Sequence, residues 1–230
     1  MLLSRVFGSA CWGNREMSVR DETLNSIGLR MGTDKSSDVH DFLRLYDKRL
    51  SHLRDEKFNF FEVGVFKGGS IRTWREYFSK ATIVGIDYDA ECEKYANERI
   101  NIRIADQSDI HAAFDIVQEF GKPLVFLDDG SHRWDHQITT LQIFWPLLER
   151  GGIYIIEDLD TSFDGHLKEA PFEGYSPIST YDYLSKLGRM LVGDQAVQEE
   201  KPYDLFIASQ YKNVDSVEFI RRSCIITKKS

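Results

Sequence analysis

Two short acidic stretches carry the residue types best suited to chemistry. Asp128, Asp129 and His132 fall in one run, Asp-Asp-Gly-Ser-His, directly after an apolar stretch, and Glu157-Asp158 follows a second apolar stretch. If both stretches are parallel strands, their carboxyl ends meet at the sheet edge where such folds bind ligands. Carboxylates gathered there repel one another unless a positive charge lies among them. Because Mg²⁺ prefers oxygen ligands, we expect a hard divalent cation among these acids rather than zinc.

His132 is the candidate proton acceptor beside these acids. It lies three residues after Asp129, at the predicted start of the following helix. A neutral imidazole there could remove a proton from a hydroxyl group that a metal has made more acidic. Two structural alternatives stay open, in which His132 caps the helix or forms an exposed pair with His136. Glu157 and Asp158 could likewise be acids that cap a helix.

A glycine-rich turn follows the first predicted strand, in the run Glu62-Val-Gly64-Val-Phe-Lys-Gly-Gly-Ser70. Glycines let the backbone turn tightly and approach a ligand at a helix N-terminus. The spacing differs from the Gly-x-Gly-x-x-Gly of dinucleotide enzymes, which disfavours an NAD-dependent dehydrogenase. A carboxylate at Glu62 suits the cationic amine of a sulfonium cofactor better than a pyrophosphate. A purely structural loop is the alternative for this turn taken alone.

Further polar residues are predicted at strand ends. Asp87 ends the second predicted strand, where a carboxylate can accept hydrogen bonds from ribose hydroxyls. Asp106 and Gln107 follow the third, in a position to receive an adenine amino group. Together with the glycine turn they predict a nucleoside site, and Glu62 favours S-adenosylmethionine as the cofactor.

Strands and helices alternate along most of the 230 residues. Apolar runs predict strands near residues 58–65, 81–86, 100–104, 124–127 and 153–156. Helical spacing falls near residues 38–54, 70–78, 90–99, 110–120, 134–148 and 180–191. Late strands near residues 205–209 and 217–226 are too close for a crossover helix, so they should pair antiparallel. The pattern predicts an α/β fold: a Rossmann-like open seven-stranded sheet, mostly parallel, with an antiparallel C-terminal hairpin and helices on both faces.

The chain length and the lack of internal repeats predict a single cofactor-binding domain over residues 31–230. Residues 1–30 are weakly patterned and are expected to form an N-terminal arm. Residues 159–178 hold glycines, prolines and acids, and we expect a lid region for the acceptor over residues 159–200.

Composition limits the partners. The chain has 29 Lys and Arg residues against 37 Asp and Glu residues, a net charge of −8, and it lacks the basic stripe that nucleic acid requires. The Arg221-Arg222 pair is interpreted as a solvated strand end. Cys11, Cys92 and Cys224 lie far apart, which indicates reduced thiols rather than disulfides or a zinc site. We see no signal peptide and no membrane-spanning run, so we expect a cytoplasmic protein without a membrane partner.

Together these motifs resemble the metal-dependent sugar O-methyltransferases of macrolide biosynthesis, over about residues 32–163. The resemblance is carried by Gly32-Thr-Asp-Lys35, His40 with Tyr46, Glu62-Val-Gly64, Gly68-Gly-Ser70, Trp74, Tyr77-Phe78, Gly85-Ile-Asp87, Ala105-Asp-Gln107, Asp128-Asp-Gly-Ser-His132, and Gly151-Gly152 through Ile156-Glu-Asp158.

The resemblance assigns roles to these positions. It implies that Mg²⁺ is bound by Asp129, Glu157 and Asp158, and that His132 is the general base. It also implies cofactor contacts at the glycine turn and the strand ends, for which the candidates are Glu62, Gly64, Ser70, Asp87, Asp106 and Gln107. The Gly32-Thr-Asp-Lys35 stretch and Tyr46 would belong to a segment that folds over the cofactor.

The leading hypothesis is a Mg²⁺-assisted, S-adenosylmethionine-dependent O-methyltransferase that acts on a hydroxyl of a sugar or glycosylated metabolite. A catechol-type or other small-molecule hydroxyl is the alternative acceptor. A non-catalytic S-adenosylmethionine-binding partner protein is the alternative from a different class. The sequence leaves a homo-oligomer open.

Overall fold

A seven-stranded mixed sheet forms the centre of the molecule. The computed structural model describes residues 22–163, 171–194, 196–197 and 204–230. The strands are β1 (Asn59–Val63), β2 (Thr82–Asp87), β3 (Ile100–Ile104), β4 (Val125–Asp128), β5 (Ile153–Ile156), β6 (Val214–Ile220) and β7 (Ser223–Lys228). Their order is β3-β2-β1-β4-β5-β7-β6. The first five strands run parallel, and β7 is antiparallel to both of its neighbours.

Helices cover both faces of this sheet. The α-helices in the described residues are α1 (Leu24–Met31), α2 (Leu43–Leu50), α3 (Gly69–Tyr77), α4 (Ile110–Phe120), α5 (Trp134–Leu147), α6 (Thr180–Leu191) and α7 (Leu205–Gln210). Short 3₁₀ helices lie at Ser51–Leu53, Ala90–Tyr95, Leu159–Ser162 and Tyr211–Asn213. Phe60 packs with the layer of α1, α2 and α3, and its neighbour Phe61 packs with the layer of α4, α5 and α6. The alternation of strand side chains therefore fills two cores, and the predicted fold class is confirmed.

Side-chain caps fix where several helices begin. Thr23 accepts a hydrogen bond from the backbone N–H of Ser26 at the start of α1. Asp109 and Ser179 cap α4 and α6 in the same way. Each cap supplies an acceptor to a backbone donor that has no partner within the helix. The cap at Asp109 thereby fixes where the chain that leaves β3 enters α4.

The late strands were placed wrongly by the sequence interpretation. Residues 205–209, predicted as a strand, belong to helix α7, and the antiparallel hairpin is formed by β6 and β7. Asp204 caps α7, because its side chain accepts a hydrogen bond from the backbone N–H of Ile207. A short apolar run fits a strand and a buried helix equally well, so periodicity could not separate the two.

The region around the predicted boundary at residue 31 packs tightly onto the domain. Leu24 and Ile27 of α1 are fully buried in the core. The predicted lid region includes α6, whose Leu184 is also fully buried. Residues 1–21 and 164–170 lie outside the described part of the chain, so the arm and the lid stay predictions. None of the described helices has the length and apolarity needed to cross a membrane.

Gly64 marks the closest approach between two strand ends. It follows β1 with φ +91°, and a Cβ at this position would lie 2.0 Å from the backbone oxygen of Asp129. Such a distance is far inside van der Waals contact. The loop after β4 can therefore reach its observed position only if residue 64 has no side chain.

We expect Gly64→Ala to lower the free energy of unfolding by about 3 kcal/mol, because it adds steric overlap to an unfavourable backbone conformation. Gly193→Ala is the matched control, since Gly193 has φ +94° with nothing within 4 Å of its added Cβ. The control should lose only about 1 kcal/mol, the cost of the backbone conformation alone. Urea unfolding measures both values, and equal losses would show that the contact with Asp129 carries no energetic weight.

Candidate functional site

The acidic stretches meet at one edge of the sheet, as the sequence predicted. Val63 at the end of β1 pairs with Asp128 at the end of β4, and Asp128 pairs with Ile156 at the end of β5. The residues that follow these strand ends are consequently neighbours. The backbone N–H of Glu157 donates to the carbonyl oxygen of Asp128 at 3.0 Å. Register between parallel strands thus places Asp129 beside Glu157.

Asp129, His132 and Asp158 form a compact group of potential metal ligands. One ligand atom from each lies within 4.8 Å of the others. The Nε2 atom of His132 is 3.6 Å from Oδ2 of Asp158. His132 has φ +58° and Asp158 has φ +55°, conformations that cost non-glycine residues of order 1–3 kcal/mol each. The surrounding structure therefore holds both side chains in place against local strain.

The helix-capping alternatives do not match the structure. Helix α5 begins after Arg133, whose side chain makes no capping hydrogen bond. Asp158 lies at the cap position of the 3₁₀ helix Leu159–Ser162, again without a side-chain capping bond. His136 is instead paired with Ser131, whose Oγ lies 2.9 Å from His136 Nδ1. The imidazole of His132 and the carboxylate of Asp158 are thus oriented toward each other rather than toward helix ends.

Glu157 is held by two residues from the N-terminal part of the chain. Lys35 Nζ donates to Glu157 Oε2 at 2.8 Å, and the hydroxyl of Tyr46 donates to Glu157 Oε1 at 2.9 Å. Lys35 Nζ also donates to Asp129 Oδ2. Although burial opposes its charge, the carboxylates of Asp129, Glu157 and Glu62 raise the pKa of Lys35 well above its ordinary value. The sequence interpretation missed this role for Lys35.

Arg222 supplies a second positive charge. It lies in the turn between β6 and β7, and its Nη2 donates to Asp158 Oδ1 at 2.8 Å. Its Nε is 2.9 Å from Asp160 Oδ2, and its Nη1 is 2.7 Å from His40 Nδ1. The interpretation of Arg222 as part of a solvated strand end was therefore wrong. No local signal revealed the role, because the partners lie more than sixty residues away in the chain.

Negative charge remains crowded despite these two cations. Burial raises the pKa of Asp128 to about 7 and that of Glu62 to about 8. Burial, to which the negative charge of Asp129 adds, also raises the pKa of Asp158 above its ordinary value. Ionising these carboxyl groups is costly in the protein alone. A further cation at Asp129 and Asp158 would reduce that cost, so the group has the chemistry of a cation site.

A cavity of about 660 Å³ lies beside the acidic group. Its lining includes four of the predicted cofactor residues, namely Gly64, Asp87, Asp106 and Gln107. Asp129, His132 and Asp158 also line it. A volume of this size suits a cofactor or drug-sized ligand.

Glu62 and Ser70 lie outside this lining. Glu62 is fully buried, and its Oε1 accepts a hydrogen bond from the Ser70 hydroxyl. The structure brings these two residues to each other beneath the glycine turn. Their predicted contacts with a cofactor stay predictions.

Asp87 is fixed by the backbone of the glycine turn. Its Oδ2 accepts hydrogen bonds from the N–H groups of Val65 at 2.8 Å and Phe66 at 3.1 Å. Its Oδ1 accepts another from Asp89 at 3.0 Å. Although burial opposes its charge, these three bonds lower the pKa of Asp87. Asp87 is therefore an ionised acceptor at the rim of the cavity.

Asp106 and Gln107 both line the cavity, but their side chains make different hydrogen bonds within the protein. Asp106 Oδ1 accepts hydrogen bonds from the backbone and hydroxyl of Ser108, which lower its pKa. Gln107 Nε2 donates to Asp128 at 3.2 Å and to Thr140 at 3.0 Å, and its Oε1 accepts from the N–H of Ser131 at 2.9 Å. The amide of Gln107 thus stabilises the loop that carries the acidic group.

Phe66 and Tyr88 also line the cavity, and the sequence interpretation missed them. Phe66 is 73% exposed and Tyr88 is 85% exposed. Large aromatic side chains in such exposed positions at a cavity are typical of ligand-binding surfaces.

No protein-family model matches the chain, but individual known proteins are similar to it in sequence. The chain is 33% identical over 147 residues to 8-demethyl-8-alpha-L-rhamnosyl tetracenomycin-C 2'-O-methyltransferase of Streptomyces olivaceus. The alignment covers 61% of this chain and 38% of that enzyme. It is 32% identical over 148 residues to demethylmacrocin O-methyltransferase of Streptomyces fradiae, and this alignment covers 61% of this chain and 37% of that enzyme. It is 29% identical over 153 residues to mycinamicin VI 2''-O-methyltransferase of Micromonospora griseorubida. That alignment covers 63% of this chain and 38% of the relative. The chain thus spans 37–38% of the length of these curated relatives.

Solved structures show the same fold. MycE methyltransferase from the mycinamycin biosynthetic pathway, in complex with Mg, SAH and mycinamycin VI, has a TM-score of 0.77 at 23% identity, covering 92% of this chain and 56% of that one. A putative caffeoyl-CoA O-methyltransferase from Staphylococcus aureus has a TM-score of 0.53 at 13% identity, covering 92% and 94%. The chain therefore has a methyltransferase fold, and its resemblance to sugar O-methyltransferases extends from single motifs to alignments of 147 to 153 residues.

Proposed function

We propose that the protein is an S-adenosylmethionine-dependent, Mg²⁺-assisted O-methyltransferase that acts on a hydroxyl of a sugar or glycosylated small molecule. The observation that carries the proposal is the compact group of Asp129, His132 and Asp158 at the wall of a cavity large enough for a nucleoside cofactor. The sugar acceptor is supported by the names of the curated relatives. A net charge of −8 favours a small molecule over nucleic acid as the acceptor.

The cavity fits a nucleoside cofactor. Ionised Asp87 can accept hydrogen bonds from ribose hydroxyls, as the acidic residue at this strand end does in nucleotide-binding folds. Asp106 can accept one from an adenine amino group. Gly64 and Gly130 line the cavity, and neither position has room for a side chain, since a Cβ at Gly130 would lie 2.2 Å from Gln107 Oε1. S-adenosylmethionine bound here would supply the methyl group to the acceptor.

The acidic group fits a divalent metal ion. Asp129 and Asp158 offer carboxylate oxygens close to the His132 imidazole, and Arg222 fixes Asp158 by a hydrogen bond. Glu157 stays a proposed ligand as well, since each carboxylate oxygen has a second lone pair beyond the bonds to Lys35 and Tyr46. A Mg²⁺ ion bound there would acidify and orient the acceptor hydroxyl.

His132 would then receive the proton of that hydroxyl. Its Nδ1 is buried and has no hydrogen-bond partner among the described residues, whereas its side chain lines the cavity. Nε2 is therefore the nitrogen that an acceptor can reach. Methyl transfer is a displacement in line with the sulfur, so the task of the protein is to align the acceptor oxygen and remove its proton.

We expect methyl transfer to depend on His132. Incubation with isotopically methyl-labelled S-adenosylmethionine, Mg²⁺ and glycosylated metabolites should yield a product with the mass of an added methyl group. His132→Ala should lower kcat by about 10²–10⁴-fold, the usual contribution of a general base. Calorimetry should show nearly unchanged cofactor affinity.

The control for this variant is His111→Ala, because His111 is exposed at the start of α4 and does not line the cavity. It should keep full activity. Full activity of His132→Ala on an identified acceptor would contradict the assignment of the base. Tight cofactor binding without turnover on any acceptor, and without response to EDTA, would support a non-catalytic binding protein instead.

We expect the reaction to require a divalent metal ion at Asp129. EDTA should abolish transfer, and added Mg²⁺ should restore it. Asp129→Asn should weaken Mn²⁺ affinity, measured by electron paramagnetic resonance, by at least about tenfold because a charged ligand is lost. Asp115→Asn is the control, since Asp115 is exposed on α4. Unchanged Mn²⁺ affinity of Asp129→Asn would place the metal elsewhere.

A further inference from the structure

The buried ammonium group of Lys35 contacts three acids. Lys35 is only 1% exposed. Its Nζ donates to Asp129 and, at 2.8 Å, to Glu157, and it lies 3.8 Å from Oε1 of Glu62. These acids belong to the ends of three neighbouring parallel strands. A buried ammonium group costs several kcal/mol in lost hydration, so its position requires compensation by these carboxylates.

The backbone fixes Lys35 in this position. Its carbonyl oxygen accepts hydrogen bonds from the N–H groups of Phe42 at 2.9 Å and Leu43 at 3.1 Å. Its own N–H donates to Thr33 Oγ1 at 3.4 Å. The loop between α1 and α2 therefore fixes the backbone from which the lysine side chain extends to the acids.

Lys35 reaches the acidic group from the closed side. Asp129 lines the cavity, whereas Lys35, Glu157 and Glu62 do not. Lys35, Glu157 and Glu62 are thus buried, and of the three acids that Lys35 contacts, Asp129 is the one that borders the cavity. Asp129 keeps its cavity-facing surface for another ligand.

We propose that Lys35 is a positioning residue, a resident cation that holds Asp129 and Glu157 together so that the acidic site is assembled before Mg²⁺ binds. This inference rests on the proposed metal site. Without Lys35, two adjacent carboxylates would face each other with no positive charge between them. A bound metal ion would then have to provide the cohesion that the lysine provides in the wild-type protein.

The test is the melting temperature of Lys35→Met with and without Mg²⁺. In EDTA the variant should melt about 10 °C below the wild type, because it leaves buried carboxylates uncompensated. Saturating Mg²⁺ should restore at least half of that loss. The wild type should gain only a few degrees from the same addition.

Lys94→Met is the matched control. Lys94 also pairs with an acid, Glu91, at 3.6 Å, but the two side chains are 57% and 81% exposed. Its melting temperature should stay within about 2 °C of the wild type. The proposal is overturned if Lys35→Met behaves like this control in EDTA. It is also overturned if the wild-type protein binds Mn²⁺ and Mg²⁺ nevertheless raises the melting temperatures of Lys35→Met and the wild type equally.

Glu157→Gln separates the electrostatic role from packing and from the metal. If Lys35 acts as a counter-ion, Lys35→Met should lower the melting temperature less than half as much in the Glu157→Gln background as in the wild-type background. An equal loss in both backgrounds overturns the proposal. If Lys35→Met alone does not fold, a folded Lys35→Met/Glu157→Gln double variant supports the proposal, and an unfolded one overturns it.

The two hypotheses fail in different ways. Absence of Mn²⁺ binding by the wild-type protein would overturn the proposed metal site. The role of Lys35 in holding Asp129 and Glu157 together would still be tested by the double-variant comparison, because that comparison is made in EDTA without metal.

Discussion

The crowding of carboxylates at the ends of β1, β4 and β5 is the constraint on which the rest of the structure depends. Parallel register forces Glu62, Asp129 and Glu157 into one small volume. Their mutual repulsion is offset by Lys35, from a loop before the sheet, while Arg222, from the last hairpin, pairs with Asp158. The site is therefore completed only when segments from both ends of the described chain pack onto the strand ends.

Backbone strain occurs in the loops that carry this acidic group. His132 and Asp158 both have positive φ, so their loops must be held by other contacts. The hydroxyl of Thr161 lies 2.8 Å from the carbonyl oxygen of Asp158 and 3.3 Å from that of His132, which links the two strained residues. The indole N–H of Trp134 donates to the carbonyl oxygen of Thr161 at 3.2 Å. The start of α5 and the turn after β5 thus form one unit, and this unit presents His132 and Asp158 to the cavity.

The sequence predicted those site residues whose role is visible in their own stretch of chain, and it missed those whose partners are distant in the chain. The acids at strand ends were predictable, because an apolar run followed by Asp129 or Glu157 places the acid at the sheet edge once the strands are parallel. Lys35 was not, since its partners lie 94 and 122 residues away and nothing in its own stretch marks it as buried. The resemblance assigned its segment to a position over the cofactor, but it gave no sign that the ammonium group contacts Asp129 and Glu157. Arg222 was missed for the same reason.

The two sides of the acidic group have different surroundings, and this difference determines what the site can bind. On the buried side, Lys35 and Tyr46 donate to both oxygens of Glu157 and fix its orientation. On the cavity side, Asp129, His132 and Asp158 remain accessible to a ligand. Groups whose orientation is fixed before a ligand arrives need little reorganisation when it binds, which is the main source of electrostatic stabilisation in enzymes. Burial of the ion pair costs the hydration of both partners, so the pair is best understood as a means of holding the accessible carboxylates in one geometry.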